Sequence, residues 1–155
     1  DADGKSTAGW LIFINGAPVD WSCELEPIAT NSSAEGELVA AQMAIQSLQF
    51  MRHITDEMGY GQPRATTVWE DNSCTHGWVT EYKLTKKNKH IHKKYWLARQ
   101  TQLSGETNML KIDTRLQRAD LLTKNCTFDT HDRLMRMMLT APPGWPARKE
   151  QPPTA

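Results

Sequence analysis

Neither sign of charge dominates this chain, with 18 Lys and Arg against 18 Asp and Glu. Net charge therefore names no partner; only its local distribution can. Cysteine is scarce. Cys23, Cys74 and Cys126 are odd in number, far apart and without a C-x-x-C pair, which argues against a disulfide framework or structural zinc and suits a reducing compartment. No apolar run approaches the length of a membrane span, no signal peptide opens the chain, and no segment repeats. The chain begins at Asp1 directly in polar sequence, as a piece of something longer would, and its 155 residues suffice for one domain with a real core.

What is present is organised around residues 30–59. Ser32-x-x-Glu35 is a capping box, Leu38, Ala41, Ile45 and Leu48 recur at helical spacing, and Gly59 is a C-cap candidate. Glu35 is explained by the cap. Glu37 is not, because it shares a face with Ala40, Ala41, Ala44 and Leu48 and should point at whatever the helix packs on. A carboxylate there costs several kcal/mol, on the order of the usual buried-charge penalty, unless it is paired or holds a metal. The alternative is a solvated or dipole-stabilised residue at a helix start.

Before this helix, the polar, turn-like DADGKST leads into residues 9–15 (GWLIFIN) and 17–25 (APVDWSCEL), two β-prone runs joined by the hairpin turn Asn15-Gly16. After it, residues 65–70 (ATTVWE) predict a short strand ending at Asp71-Asn72, and 73–82 a short helix. A basic stretch, 83–94, leads into a helix around 95–101; Ser104-Gly105-Glu106 turns the chain into a strand over 108–113. Thr114-x-x-Gln117 predicts a second capping box opening a helix through Lys124, and the Met- and Leu-rich 133–139 a last helix whose methionines pack rather than bind a cofactor. Residues 142–155 hold five of the eight prolines and are expected to form a disordered tail or linker. The order of elements argues an α/β layer fold with a mixed sheet.

Three acidic residues fall where elements begin, end or turn inward: Glu37, Asp71 just past Thr67 and Trp69 in the alternation, and Asp120 four residues after Leu116 on the expected helix's apolar face. Carboxylates that converge from several elements without Cys or His suit a hard cation such as Mg²⁺. Two such ions clamp the attacking and leaving oxygens of a phosphodiester. Three solvated or capping carboxylates are the bland alternative.

These stretches also resemble a known family. TNSSAEGELVAAQMAIQSLQFMRHI is similar to the SSTEAEY…A…WLR helix of the ribonuclease H domain of copia-type LTR retrotransposons. In the same order, GKSTAGWLIFINGAPVDW resembles that family's KSTSGYVF hairpin, VWEDNSCTHGWV its strand ending in DN, KNKHIHKKYWLAR its K-H-I-x-x-x-Y-x-x-x-R stretch and LQRADLLTK its Q-x-A-D-I-L-T-K block. The resemblance covers roughly residues 4–139. It implies an RNase H-like domain over 1–140, with helices on both faces of a mixed sheet that lacks most or all of its first strand, and a linker over 141–155. It implies cleavage of the RNA strand of RNA–DNA hybrids with two Mg²⁺ ions (Mn²⁺ as a substitute), leaving a 5′-phosphate and a 3′-hydroxyl. The partners implied are the hybrid and the reverse transcriptase domain of the same polyprotein, with no membrane and no small-molecule cofactor; the place is the cytoplasm, within a virus-like particle, or the nucleus. The family's second Glu of SSTEAE falls on Glu37, the Asp of DN on Asp71 and the Asp of A-D-I-L-T-K on Asp120, all as metal ligands.

The resemblance departs at the front. The family's first catalytic Asp lies in the first strand, about ten residues before KST, whereas Asp1 precedes Lys5 by four. Either Asp1 is that residue and metal ligand, with a shortened loop, or Asp1 and Asp3 belong to the loop and the first Asp lies upstream. Residues 111–118 contain no His, which leaves protonation of the leaving group to water at the metal, and His92 stands where the family usually has Asp. Seven of the 18 basic residues crowd into positions 83–99 with Tyr82, Tyr95 and Trp96 interleaved. Lys86, Lys87, Lys89, His90, Lys93, Lys94 and, further on, Lys124 are the candidates for gripping hybrid phosphates; a solvated charged face is the alternative. His90 and His92 look like a metal pair but have no third ligand nearby in sequence, and His53, His76 and His131 have no evident partner. Two rival classes remain open: a catalytically inactive module that binds nucleic acid or buttresses a polymerase, and a host-recruited interaction domain.

Overall fold

The computed structural model describes residues 6–26, 30, 32–81 and 96–139. Asp1, the basic stretch from Lys86 to Lys94 with His90 and His92, and the Pro-rich 141–155 lie outside the described residues. β1 (Thr7–Ile14) and β2 (Ala17–Leu25) form the expected antiparallel hairpin, with Thr7 opposite Leu25 and a bulge between Ile12 and Phe13. Asn15 and Gly16 take φ of 51° and 83°, as a two-residue turn matched to strand twist requires.

α1 (Ser33–Glu57) is bounded by the local signals at both ends. Ser32 Oγ accepts the Glu35 N–H at 3.2 Å. At the other end Gly59 is left-handed at φ 84°, so that its N–H reaches the Asp56 carbonyl and the Tyr60 N–H the Thr55 carbonyl, a Schellman closure. β3 (Thr66–Glu70), α2 (Ser73–Thr80), α3 (Trp96–Ser104) and β4 (Thr107–Lys111) follow, β4 running parallel to β3 with Val68 beside Met109. Arg52 fixes the approach to β3: its guanidinium donates to the Gln62 and Arg64 carbonyls and, at 2.6 Å, to Thr66 Oγ1.

The segment after β4 differs from its expected form. Asp113, not Thr114, caps the turn by accepting the Arg115 N–H, and only a 3-10 turn over Thr114–Leu116 forms. Asp120 then opens a single helical turn, α4 (Asp120–Thr123), instead of lying inside a longer helix. The last helix is longer than its Met-rich part suggests: α5 (Phe128–Met138) starts at the Thr127 cap.

The core joins α1 to α2, α3 and β4 through Leu38, Ala41, Ile45, Val79, Ala98 and Met109. The opposite face of the hairpin meets α4, where a Cβ on Gly9 would stand 2.6 Å from Thr123 Cγ2, so only glycine admits that approach. Arg118 lies over the Phe13 ring on the same side. Helices on both faces and both kinds of strand pairing make this a mixed α/β fold compatible with the RNase H-like expectation. Among the described residues, however, the strands form two separate ribbons, β1–β2 and β3–β4, rather than one sheet.

Candidate metal centre

Glu37 stands in the second turn of α1, Glu70 ends β3 and Asp71 follows it. One carboxylate oxygen from each lies within 4.8 Å of the other two. The strand-to-helix corner sets two of the three. Glu70 is buried and its Oε1 accepts the Asn72 N–H at 2.7 Å, while Asn72 Oδ1 accepts the N–H groups of Cys74 and Thr75 and so starts α2. Asp71 is held between these bonds, and its carbonyl accepts from Lys111 Nζ.

The cluster carries more negative charge than its surroundings solvate. Burial pushes the Glu70 carboxyl up to about 8 against the Asn72 hydrogen bond, with Glu37 and Asp71 adding repulsion. Glu37 is raised too, first by burial and then by Asp71, with smaller contributions from Asp120 and Glu26; Lys124 opposes. Glu26 is itself fully buried, its Oε2 accepting from Thr30 Oγ1 at 3.1 Å, and a Cβ on Gly36 would stand 2.7 Å from its Oε1. Oxygen donors alone, crowded and partly protonated for want of countercharge, fit a hard divalent cation.

The structure thus brings together two of the residues singled out from sequence, Glu37 and Asp71, and adds Glu70. Asp120 lines the same cavity of about 640 Å³ as Glu37 and Glu70 but lies outside the three-carboxylate cluster, with its Oδ1 2.9 Å from Lys124 Nζ. The strand alternation carried a signal for Glu70: Val68 turns toward α1 and the core, and Glu70 is two residues on.

Retrovirus-related Pol polyproteins are similar to this chain. That from transposon TNT 1-94 of Nicotiana tabacum is 26% identical over 120 residues, 77% of this chain and 9% of the polyprotein. Those from transposons RE1 and RE2 of Arabidopsis thaliana are each 25% identical over 122 residues, 79% of this chain and 8% of the polyprotein. Its homologues are copia-type retrotransposon Pol polyproteins. The chain spans less than a tenth of their length. No family model and no solved structure matches it.

Set against Pol polyprotein relatives, the cations of this segment divide. Lys124, expected on a phosphate-gripping surface, is half-exposed and tied to Asp120 at the rim of the acidic cluster. Burial works to lower its pKa, but the hydrogen bond with Asp120 and the charges of Asp120, Asp71 and Glu37 outweigh it and hold the ammonium above the usual lysine value. There it offsets the negative charge of the carboxylates. The remaining candidates, Lys86, Lys87, Lys89, His90, Lys93 and Lys94, fall outside the described residues. His53 is a surface residue 3.2 Å from Glu57. The three cysteines are free, and no helix among the described residues is long and apolar enough to cross a membrane.

Proposed function

We propose that this chain is the ribonuclease H-type nuclease segment of a retrotransposon polyprotein, hydrolysing the RNA strand of RNA–DNA hybrids with divalent metal. The observation that carries the reading is the convergence of Glu37, Glu70 and Asp71 within 4.8 Å, in a chain whose homologues are Pol polyproteins. Glu37, Glu70 and Asp71 would hold one Mg²⁺, and Asp120 across the cavity would contribute to a second site; Mn²⁺ has the same preference for oxygen ligands. Bound there, such ions supply charge neutralisation at the phosphoryl oxygens and a more acidic water.

The protein's own part is positioning. The Asn72 N–H fixes the Glu70 carboxylate, the α2 cap fixes Asp71, and the packing of α1 fixes Glu37, so the donors need no rearrangement when a phosphodiester arrives. Glu37, holding metal through one oxygen, would have its second oxygen left to orient the attacking water. Lys124 is suited to steadying a phosphate oxygen once Asp120 engages metal, and the basic 83–99 stretch to gripping the hybrid backbone. RNA would be told from DNA by its 2′-hydroxyl and A-form shape.

One observation favours a second reading, an inactive RNase H-like module: Asp120 is paired with Lys124 outside the cluster, leaving three clustered carboxylates for one ion. Cleavage of a labelled RNA–DNA hybrid in Mg²⁺ separates the two. Activity that falls at least about a hundredfold in Asp71→Asn supports the nuclease. Metal binding by calorimetry without cleavage selects the inactive module, and no metal binding by the folded chain overturns both the site and the nuclease reading.

A further inference from the structure

Two helix starts meet behind the carboxylate cluster. α1 opens at Ser33 and α2 at Ser73. Thr75, in the first turn of α2, donates its hydroxyl at 2.9 Å to the carbonyl of Ala34, in the first turn of α1. Both residues are buried, Thr75 completely.

A buried hydroxyl needs a partner, and a helical threonine commonly finds one in the preceding turn of its own helix. Thr80 does so on the His76 carbonyl at 2.8 Å, and Thr101 on those of Leu97 and Ala98. Such bonds satisfy the hydroxyl and join nothing else. The Asp71 carbonyl, four residues before Thr75, lies outside α2 and accepts from Lys111 Nζ. Thr75 turns to α1 instead.

From Thr75 the connection continues to the cluster. Its N–H donates to Asn72 Oδ1 at 3.2 Å, and the Asn72 N–H donates to Glu70 Oε1 at 2.7 Å. Ala34 stands one turn before Glu37 on the same helix. A path of hydrogen bonds thus runs from the Glu70 carboxylate through Asn72 and Thr75 to the α1 backbone that carries Glu37. The apolar contact between the helices has a different task. Leu38 and Val79, wholly buried in the shared core, hold α1 and α2 together without direction and resist a small slide only weakly. A hydrogen bond weakens steeply with distance and angle, so it fixes the register. That register decides how far the Glu37 oxygen stands from those of Glu70 and Asp71, now within 4.8 Å.

We propose that Thr75 is a positioning residue that sets the width of the carboxylate cluster and thereby selects Mg²⁺ over the larger Ca²⁺. The proposal rests on the metal-centre reading. Mg²⁺ demands near-octahedral oxygens at about 2.0–2.1 Å, whereas Ca²⁺ accepts irregular ones at about 2.3–2.6 Å. A slide of α1 against α2 by the gap between those ranges spoils the site for Mg²⁺ and leaves it serviceable for Ca²⁺. Thr75 itself touches neither metal nor substrate; it acts through Asn72 and the α1 backbone.

The experiment titrates residues 1–155, Thr75→Val and Thr75→Ser with Mg²⁺ and, separately, with Ca²⁺ by calorimetry. Thr75→Val removes the hydroxyl but keeps the branched shape, and the Ala34 carbonyl keeps the N–H of its own helix. The expected result is a Kd for Mg²⁺ raised about tenfold in Thr75→Val, the scale seen for partners one step removed from a metal, with Ca²⁺ changed by less than about twofold. Thr75→Ser, which keeps the donor, should hold the parent's ratio of the two affinities within about twofold. A merely structural role would lower the unfolding midpoint of Thr75→Val without moving that ratio. Equal loss of both ions, loss of neither, or a serine variant that behaves as the valine one overturns the proposal and leaves the metal centre standing. A folded parent that binds neither ion overturns the metal centre, and the proposal with it. Thr75→Ala carries the same comparison if the valine chain does not fold, as circular dichroism reports.

Discussion

The two sides of α1 are made from the same helix and do opposite things. Leu38 and Ile45 face α2, α3 and β4 and are wholly buried, in a core where each apolar group meets another. Glu37, Ala40 and Ala44 face the cavity between the ribbons, where small side chains leave room and carboxylates accumulate. Stability resides on the first side and chemistry on the second. The carboxylates tolerate their crowding because the packed side holds α1 and the β3–α2 corner in place.

Ile45→Ala should break that division most severely. Removing three carbons from a site with no exposure costs about 3 kcal/mol, the transfer term plus an unfilled void. Ala40→Ser, on the cavity side of the same helix, should change stability by less than about 0.5 kcal/mol. Urea unfolding of the two variants checks the contrast. Comparable losses in both would mean that the cavity side is packed too.

An effect opposite in sign comes from the acidic side. Glu70 has a folded-state value of about 8 against an ordinary carboxyl near 4.5. Between those values the folded protein keeps a proton that the unfolded chain releases, so the stability contributed by neutral Glu70 is complete below about pH 4.5 and is lost as pH rises through 8. Gln at this position keeps the acceptor for the Asn72 N–H without the charge. Glu70→Gln should therefore match the parent at pH 4 and exceed it at pH 9 by on the order of a few kcal/mol, read from thermal midpoints across that range. The same substitution should weaken Mg²⁺ binding, so saturating Mg²⁺ should stabilise the parent more than the variant at high pH. A stability–pH slope unaltered by Glu70→Gln would remove Glu70 from the cluster.

Local signals were legible in the sequence wherever a few neighbouring residues decide the backbone. Asn15-Gly16 gave the hairpin, Ser32 and Gly59 the ends of the long helix, and the β-branched run before Asp71 gave β3. Glu37 and Asp71 were legible as a pair because each stands at an element end facing inward. Glu70 was overshadowed by its neighbour: Asp71 ends the β-prone run, but the residue one position earlier is the one the pleat turns toward α1. Lys124 reads from sequence as a candidate phosphate contact because charge type is visible there, while its i,i+4 ion pair with Asp120 emerges only in the fold. Thr114-x-x-Gln117 misled as a helix start. A capping box requires helix beyond it, and Asp113, one residue earlier, took the turn's N–H first. The split into two ribbons had no local signal, since an unpaired edge is a relation between strands far apart in sequence.

The smallest of the expected effects sharpens the comparison where the two sides meet. Asn72 belongs to both: its side chain starts α2, whose Val79 enters the core, and its N–H holds the Glu70 carboxylate. Asn72→Ala removes an acceptor shared by two helix N–H groups and should cost about 1 kcal/mol, while Asn72→Asp, which can cap as well, should recover it. Stability and metal binding should then separate. The aspartate variant places another negative charge beside Glu37, Glu70 and Asp71, raising their proton affinity further and making metal binding steeper in pH. Calorimetric titration with Mg²⁺ at pH 6 and pH 8 reads this directly. Equal metal affinities for Asn72→Ala and Asn72→Asp at both pH values would mean that the cap acts only on α2 and that the corner does not transmit to the carboxylates.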